Sequence, residues 1–350
     1  MNDHSRTLTT AHLSAAEATA RGDSTALAPM VGQTGRKELG TAEVYRLDVS
    51  TPRAPGDTPP QGRGGRLRLQ VRRRVSDAYE VIGLWRYPVK SMAGEAVEAV
   101  ELDVDGVAGD RQWGVRDLDT DRLASAKKPR PFGGLLDWSA RITDDGTVGV
   151  ASPGGQTWTA GDPDLDIALS RAFDRPLVLS PVEAGREETY DSEWPEIPGT
   201  ALSEVEVELP VAMMTERASF VDLAAVHLIV EESVVHLSEL IGAEVPVRRF
   251  RPTALLRSSI EAVPGFLDLA WVDRVATAGD VGLHIGGPAP RCVMTTLPQG
   301  DLGAQREVLQ ALAEHARHDT GTGVFACLGT YAEVTNPGTV RLGDHFVLAD

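Results

Sequence analysis

A chain of 350 residues with 42% hydrophobic residues and a formal net charge of −17 can fill two domains and bury a sizeable core without covalent staples. Its two cysteines cannot build a disulfide framework, and no apolar run approaches the roughly 20 residues of a membrane helix, so a soluble protein of a reducing cytoplasm is expected. The acidic balance argues against nucleic acid, whose binding depends on basic groups that displace counterions.

The charge is unevenly spread. Residues 1–76 carry twelve Lys/Arg and seven Asp/Glu, so the remaining residues carry 22 against 44. Any anion site in that acidic body must be a local concentration of basic side chains. Residues 1–77 are rich in Thr, Ala, Gly and Pro without hydrophobic periodicity, which predicts a disordered leader. Its arginines at 63, 66, 68 and 72–74 read as a solvated linker or a basic tail.

Order is expected from Val81, where Val81 to Arg86 reads as a strand stopped by Pro88. Val100, Leu102 and Val104 alternate with acidic residues as a half-buried strand does. Short strands follow at 112–117, 140–142, 148–151 and 156–159, and a helix at 165–173 opens with Asp162-Pro163. Residues 174–219 are acidic and proline-interrupted, and read as an irregular connector. Beyond them come a buried strand at 226–230, a helix at 233–241 closed by Gly242, and strands at 249–256, 270–276 and 281–285. An amphipathic helix at 302–317 and strands at 324–334 and 339–348 complete the chain. The fold class is therefore α+β, mainly β: a β-barrel-like domain over 78–200, then a second barrel-like domain over 201–350 with accessory helices.

The two cysteines keep different company. Cys327 lies in an apolar run and reads as a small buried hydrophobe, whereas Cys292 follows Arg291 after a Gly/Pro-rich approach. A neighbouring cation favours thiolate, the form that acts as nucleophile or metal ligand, although packing alone also accounts for an Arg-Cys pair. Three distant clusters combine cations with turn residues: Tyr87-Pro88-Val89-Lys90-Ser91, Gly109-Asp110-Arg111, and Arg248 to Thr253. Each alone reads as solvated charge; together they supply the compact ammonium, guanidinium forks and short hydroxyls that an anionic ligand needs. The sequence has no G-x-S-x-G elbow, Walker loop, H-E-x-x-H or paired C-x-x-C, which withdraws support from hydrolase, nucleotide and zinc readings. His315 and His318, beside Glu314 and Arg317, read as an exposed helix face.

These motifs, followed in order by Arg291-Cys292 with Thr295-Thr296 and by Asn336-Pro337-Gly338 through Gly343-Asp344, resemble the MOSC-domain family with its N-terminal MOSC β-barrel domain, the group that includes the mitochondrial amidoxime-reducing component. The resemblance covers about 78–350. It implies a pyranopterin molybdenum cofactor with Cys292 as the protein ligand to the metal and as the catalytic residue. It also implies cofactor contacts from Lys90, Ser91, Arg111, Arg251, Thr253, Arg291 and Tyr331, and a family-level association with pyridoxal phosphate. The implied activity is reduction of N-hydroxylated or related N–O/S–O small molecules. No ferredoxin-type cysteine pattern is present, so electrons would come from a separate reductase. The alternative is a carrier holding a persulfide on Cys292. The chain departs from the amidoxime reducers at Leu223, Ala224, Thr253 and Ala289-Pro290.

Overall fold

The computed structural model describes residues 78–193, 206–211, 219–259, 265–321 and 323–349. The expected leader and the division near residue 200 both fall outside these residues. Seven strands close into a barrel: β1 (Ala78–Arg86), β2 (Val226–Val230), β3 (Ala254–Ser258), β4 (Val275–Ala278), β5 (Val281–Pro290), β6 (Val324–Asn336) and β7 (His345–Ala349). The hydrogen-bonded order is β2-β3-β1-β7-β4-β5-β6, and β6 pairs back onto β2. Closure removes the exposed edges that an open sheet would present.

Inward-facing apolar side chains fill this barrel. On β1, Tyr79 and Val81 point inward, a register shift follows, and Leu84 resumes the inward face. The shift is a bulge, which inserts one residue and re-aims the strand. On β2, Val226, Leu228 and Val230 face the barrel core. Ile229 faces outward, yet it too is buried, against helices α2 (Glu231–Ile241) and α3 (Glu307–His315). That double burial is why 226–230 reads as a continuous apolar run.

A second core is built from two smaller sheets and helix α1 (Pro163–Phe173), whose first turn is capped by the Asp162 carboxylate accepting from Asp164 N–H at 2.9 Å. Leu165 and Leu169 of α1 pack there with Val115, Leu135 and Trp138, and so do Val89 and Met92. The segment 87–92 therefore runs from the end of a barrel strand into the second core. Lys90 and Ser91 lie between the two.

Several local expectations are corrected. The described residues of 174–219 include three strands, Leu177–Pro181, Thr189–Glu193 and Glu206–Pro210, which share a sheet with Trp113–Asp117 and Arg122–Leu123. Their acidic residues are ion-paired: Asp191 meets Arg122 at 2.7 Å and Lys128 at 3.0 Å, and Glu188 meets buried Arg116 at 2.5 Å. Burial beside cations let carboxylates occupy positions that composition assigned to solvent. The 249–256 strand begins only at Ala254, because a 3₁₀ turn at Val247–Phe250 and a left-handed Arg251 precede it. Likewise 270–276 is a 3₁₀ turn at Leu267–Ala270 followed by β4. Helix α3 is shorter than 302–317, and Leu302 bridges Gln299 instead. The 339–348 run divides into Gly338–Arg341 and β7, and Val104 is exposed beyond the strand Ala99–Asp103. In contrast β5 extends to Pro290, so the approach to Cys292 is strand.

Asp268 gives the fold a defined pH response. It is fully buried, accepts from Val230 N–H at 3.1 Å, and lies at the start of α2. Burial pushes its carboxyl up to about 6, although hydrogen bonds from Val230, Ser233 and Gly329 act in the opposite direction. Because the folded state holds this proton more tightly than the unfolded chain, Asp268 favours folding fully below about pH 4, and its contribution falls as pH rises to about 6. The fall is about 3 kcal/mol. Denaturant unfolding at pH 4 and pH 7 should show that decrement in the native chain relative to Asp268→Asn; parallel profiles would contradict the assignment.

Candidate functional site

One end of the barrel gathers the segments that follow β1 and β5 and those that precede β2 and β3. Left-handed residues turn the chain there. Ser91 (φ 64°), Arg111 (φ 49°) and Arg251 (φ 53°) are three of the six non-glycine residues with positive φ among those described. Such a conformation costs on the order of 1 kcal/mol per residue and persists only where surroundings enforce it. Here the enforcement is visible: Arg111 N–H donates to Tyr87 O at 2.7 Å, Arg251 N–H donates to Arg248 O at 3.1 Å, and Ser91 Oγ accepts from Ala126 N–H at 3.1 Å.

The cations are layered. Lys90, 4% exposed, donates to Phe220 O at 2.9 Å and pairs with Asp222. Lys127 reaches the other oxygen of Asp222 at 3.0 Å and the Tyr190 hydroxyl at 2.9 Å. Both ammonium groups sit over the Tyr190 ring, at 4.5 and 5.0 Å. Burial pulls Lys90 down to about 8 against the opposing pull of Asp222. Burial also works against the Asp222 charge, but Lys127 and Lys90 outweigh it and hold that carboxyl well below its ordinary range. Lys127 is raised despite burial, through Asp222, Tyr190 and Cys292 in turn.

Beside this group, the Tyr87 ring lies 4.3 Å from the Arg251 guanidinium and 5.0 Å from that of Arg111. Asp110 pairs with Arg111 and accepts from Tyr87 N–H at 2.7 Å. Arg251 donates to Met92 O, and no carboxylate pairs with it among the described residues. Five cations, Lys90, Arg111, Lys127, Arg251 and Arg291, thus face two carboxylates, Asp110 and Asp222, in a chain whose net charge is −17. An anion fits that imbalance.

Cys292 closes the site after β5. Its thiol is part-buried against Ala126, Leu136 and Met294, and its carbonyl accepts from Thr295 N–H at 3.2 Å and Thr295 Oγ1 at 3.0 Å. Arg291 was expected to act on the thiol directly, but its donors are spent elsewhere. They go to Ala289 O at 3.1 Å, Pro290 O at 3.0 Å, Phe250 O at 3.2 Å and Tyr331 OH at 3.0 Å. Arg291 thus ties β5 to the turn carrying Arg251. Thr253 Oγ1 accepts from His227 N–H at 3.1 Å, which engages that hydroxyl with the backbone of β2. Cys327 is fully buried in the core beneath α3.

The geometry agrees with what the sequence resembles. A profile of the MOSC N-terminal β-barrel domain matches residues 78–174, and one of the MOSC domain matches 215–347. The chain belongs to the MOSC-domain proteins with an N-terminal MOSC β-barrel domain. It is 24% identical over 306 residues to mitochondrial amidoxime-reducing component 1 of Mus musculus, covering 80% of this chain and 85% of that one. It is 23% identical over 300 residues to the Homo sapiens protein of the same name, covering 78% and 84%. A crystal structure of the YUAD protein from Bacillus subtilis aligns over 77% of this chain and 95% of that one at 12% identity, with a TM-score of 0.34, too low to bear on the site.

For this MOSC protein, sequence reading reached Lys90, Ser91, Arg111, Arg251, Arg291, Cys292 and Tyr331, and the fold brings them to one barrel end. It missed Lys127, Asp222 and Tyr190. Lys127 sits in Lys127-Lys128-Pro129 and Asp222 is a lone acid before a buried strand; neither carries a local signal, because their pairing spans 95 residues of sequence. No helix among the described residues is long and apolar enough to cross a membrane.

Proposed function

We propose that this protein is a molybdenum-cofactor oxidoreductase that reduces N-hydroxylated or related N–O/S–O small molecules with electrons from a separate reductase. Molybdenum-cofactor association is the common property of the family, and two relatives are named for amidoxime reduction. The observation that carries the reading is a part-buried guanidinium without a carboxylate partner among the described residues, Arg251, its Nη2 buried and unpartnered, grouped with Lys90 and Arg111 beside a part-buried thiol. Anionic pterin phosphate suits the first feature and soft molybdenum the second.

When bound, the cofactor supplies two-electron removal of oxygen at the metal. The residues around it supply the rest. Cys292 would be the protein ligand, and Arg251, Arg111, Lys90 and Ser91 would bind the phosphate and pterin edge. Arg291 fixes the height of Cys292 relative to Arg251 through Phe250 O, and its bond to Tyr331 OH leaves that hydroxyl's own proton directed away from the guanidinium. In the overall reaction the N–O bond breaks, two electrons and two protons enter, and the oxygen leaves as water. Protein loaded with molybdenum should reduce an amidoxime to the amidine with a chemically reduced viologen as donor. Turnover of the dye without amidine formation would count against this substrate class.

A further inference from the structure

Two polar atoms of the site are buried and have no hydrogen-bond partner: the Tyr87 hydroxyl and Nη2 of Arg251. They belong to one stack, since the Arg251 guanidinium lies 4.3 Å from the Tyr87 ring and Arg111 lies 5.0 Å from it. The surroundings hold Tyr87 firmly. The residue is 4% exposed, its N–H is bound to Asp110 and its carbonyl accepts from Arg111, and a side-chain carbon at Gly94 would lie 2.5 Å from the ring. The negative ring face attracts both guanidinium groups. Burial raises the phenol's pKa although Arg251 and Arg111 act to lower it, so the hydroxyl remains a donor across the working pH range. A buried donor left unsatisfied is costly, and two in one stack with surplus positive charge call for an acceptor.

We infer that Tyr87 is a ligand-contacting residue of this site, its hydroxyl and Arg251 Nη2 together forming a two-donor seat for an oxygen of a phosphate group. The inference rests on the cofactor reading only for the identity of the ligand. The seat itself is a property of the protein and can be tested with inorganic phosphate.

The sign of two effects separates this role from a structural one. In cofactor-free protein, Tyr87→Phe keeps the ring against the guanidinium groups and removes only the orphaned hydroxyl. Its thermal midpoint without phosphate should equal or exceed that of the native chain. Its affinity for inorganic phosphate by calorimetry should fall about ten-fold or more, the usual loss for one hydrogen bond to a charged acceptor. Arg251→Gln should lose phosphate binding, whereas Cys292→Ser should keep it. In protein made with the cofactor pathway intact, Tyr87→Phe should also retain less pterin on gel filtration. Unchanged phosphate affinity in Tyr87→Phe, or a native chain that binds no phosphate, overturns the inference. Weakened phosphate binding with undiminished pterin retention overturns the assignment of the seat to the cofactor. Phosphate binding that depends on Tyr87 in a protein that never acquires molybdenum supports the seat and contradicts the proposed function instead.

Discussion

Cys292→Ser is expected to reduce molybdenum retention by more than ten-fold and to abolish amidoxime reduction while leaving the fold intact. Serine is nearly isosteric, and the contacts that place residue 292 are made by backbone: Arg291 N–H donates to Ala326 O at 2.8 Å, Pro290 is in register with Cys327, and the 292 carbonyl accepts from Thr295 N–H at 3.2 Å. A hydroxyl is a hard, weakly acidic group, and soft metals prefer thiolate. Cys327→Ser serves as the control, because that side chain is fully buried in the core beneath α3, on the strand β6 that pairs with β5. It should lower stability without changing the metal content per folded molecule. Elemental analysis of both variants, beside unfolding curves, separates ligand loss from misfolding; equal molybdenum in Cys292→Ser and native protein would remove the ligand assignment.

The second large effect is expected at Asp222. Its two oxygens bridge Lys90 and Lys127, whose side chains are 4% and 15% exposed. Asp222→Asn leaves both ammonium groups with neutral partners. Breaking one side of a buried pair costs about 3 kcal/mol, so the midpoint in denaturant should move down accordingly. The loss should be partly recovered in phosphate, because the freed positive charge strengthens the hold on an anion. Tyr190→Phe, which removes only the hydroxyl that accepts from Lys127 at 2.9 Å, should cost much less. An Asp222→Asn protein as stable as the native chain would show that the two lysines do not depend on this carboxylate.

Much of this architecture is legible in the residues themselves because it follows local periodicity. Val226–Val230, α1 with its Asp162 cap, and the Gly242 end of α2 each carry their own signal in adjacent positions. The errors share one cause. Thr189–Glu193 and its neighbours look like acidic loop until Arg116 and Arg122 of two other strands and Lys128 of the loop beyond them are brought across. Residues 249–253 look like strand until the Arg251 turn is seen to serve Met92 and Tyr87. At the site, cations flanked by turn residues are readable in sequence. What neutralises or orients them is not, since Lys127 and Asp222 pair across 95 residues of sequence. The proximity of Arg291 to Cys292 along the chain is misleading too, because the Arg291 guanidinium turns to Phe250 O and Tyr331 OH.

A molybdenum cofactor held at this barrel end by Cys292 and the Arg251 cluster is the proposed state of the native protein. Its most direct test is quantification of molybdenum and released pterin per polypeptide in native protein made in a host that synthesises the cofactor. About one of each per chain is the predicted result. Metal-free and pterin-free protein, or a persulfide on Cys292 without molybdenum, would contradict it.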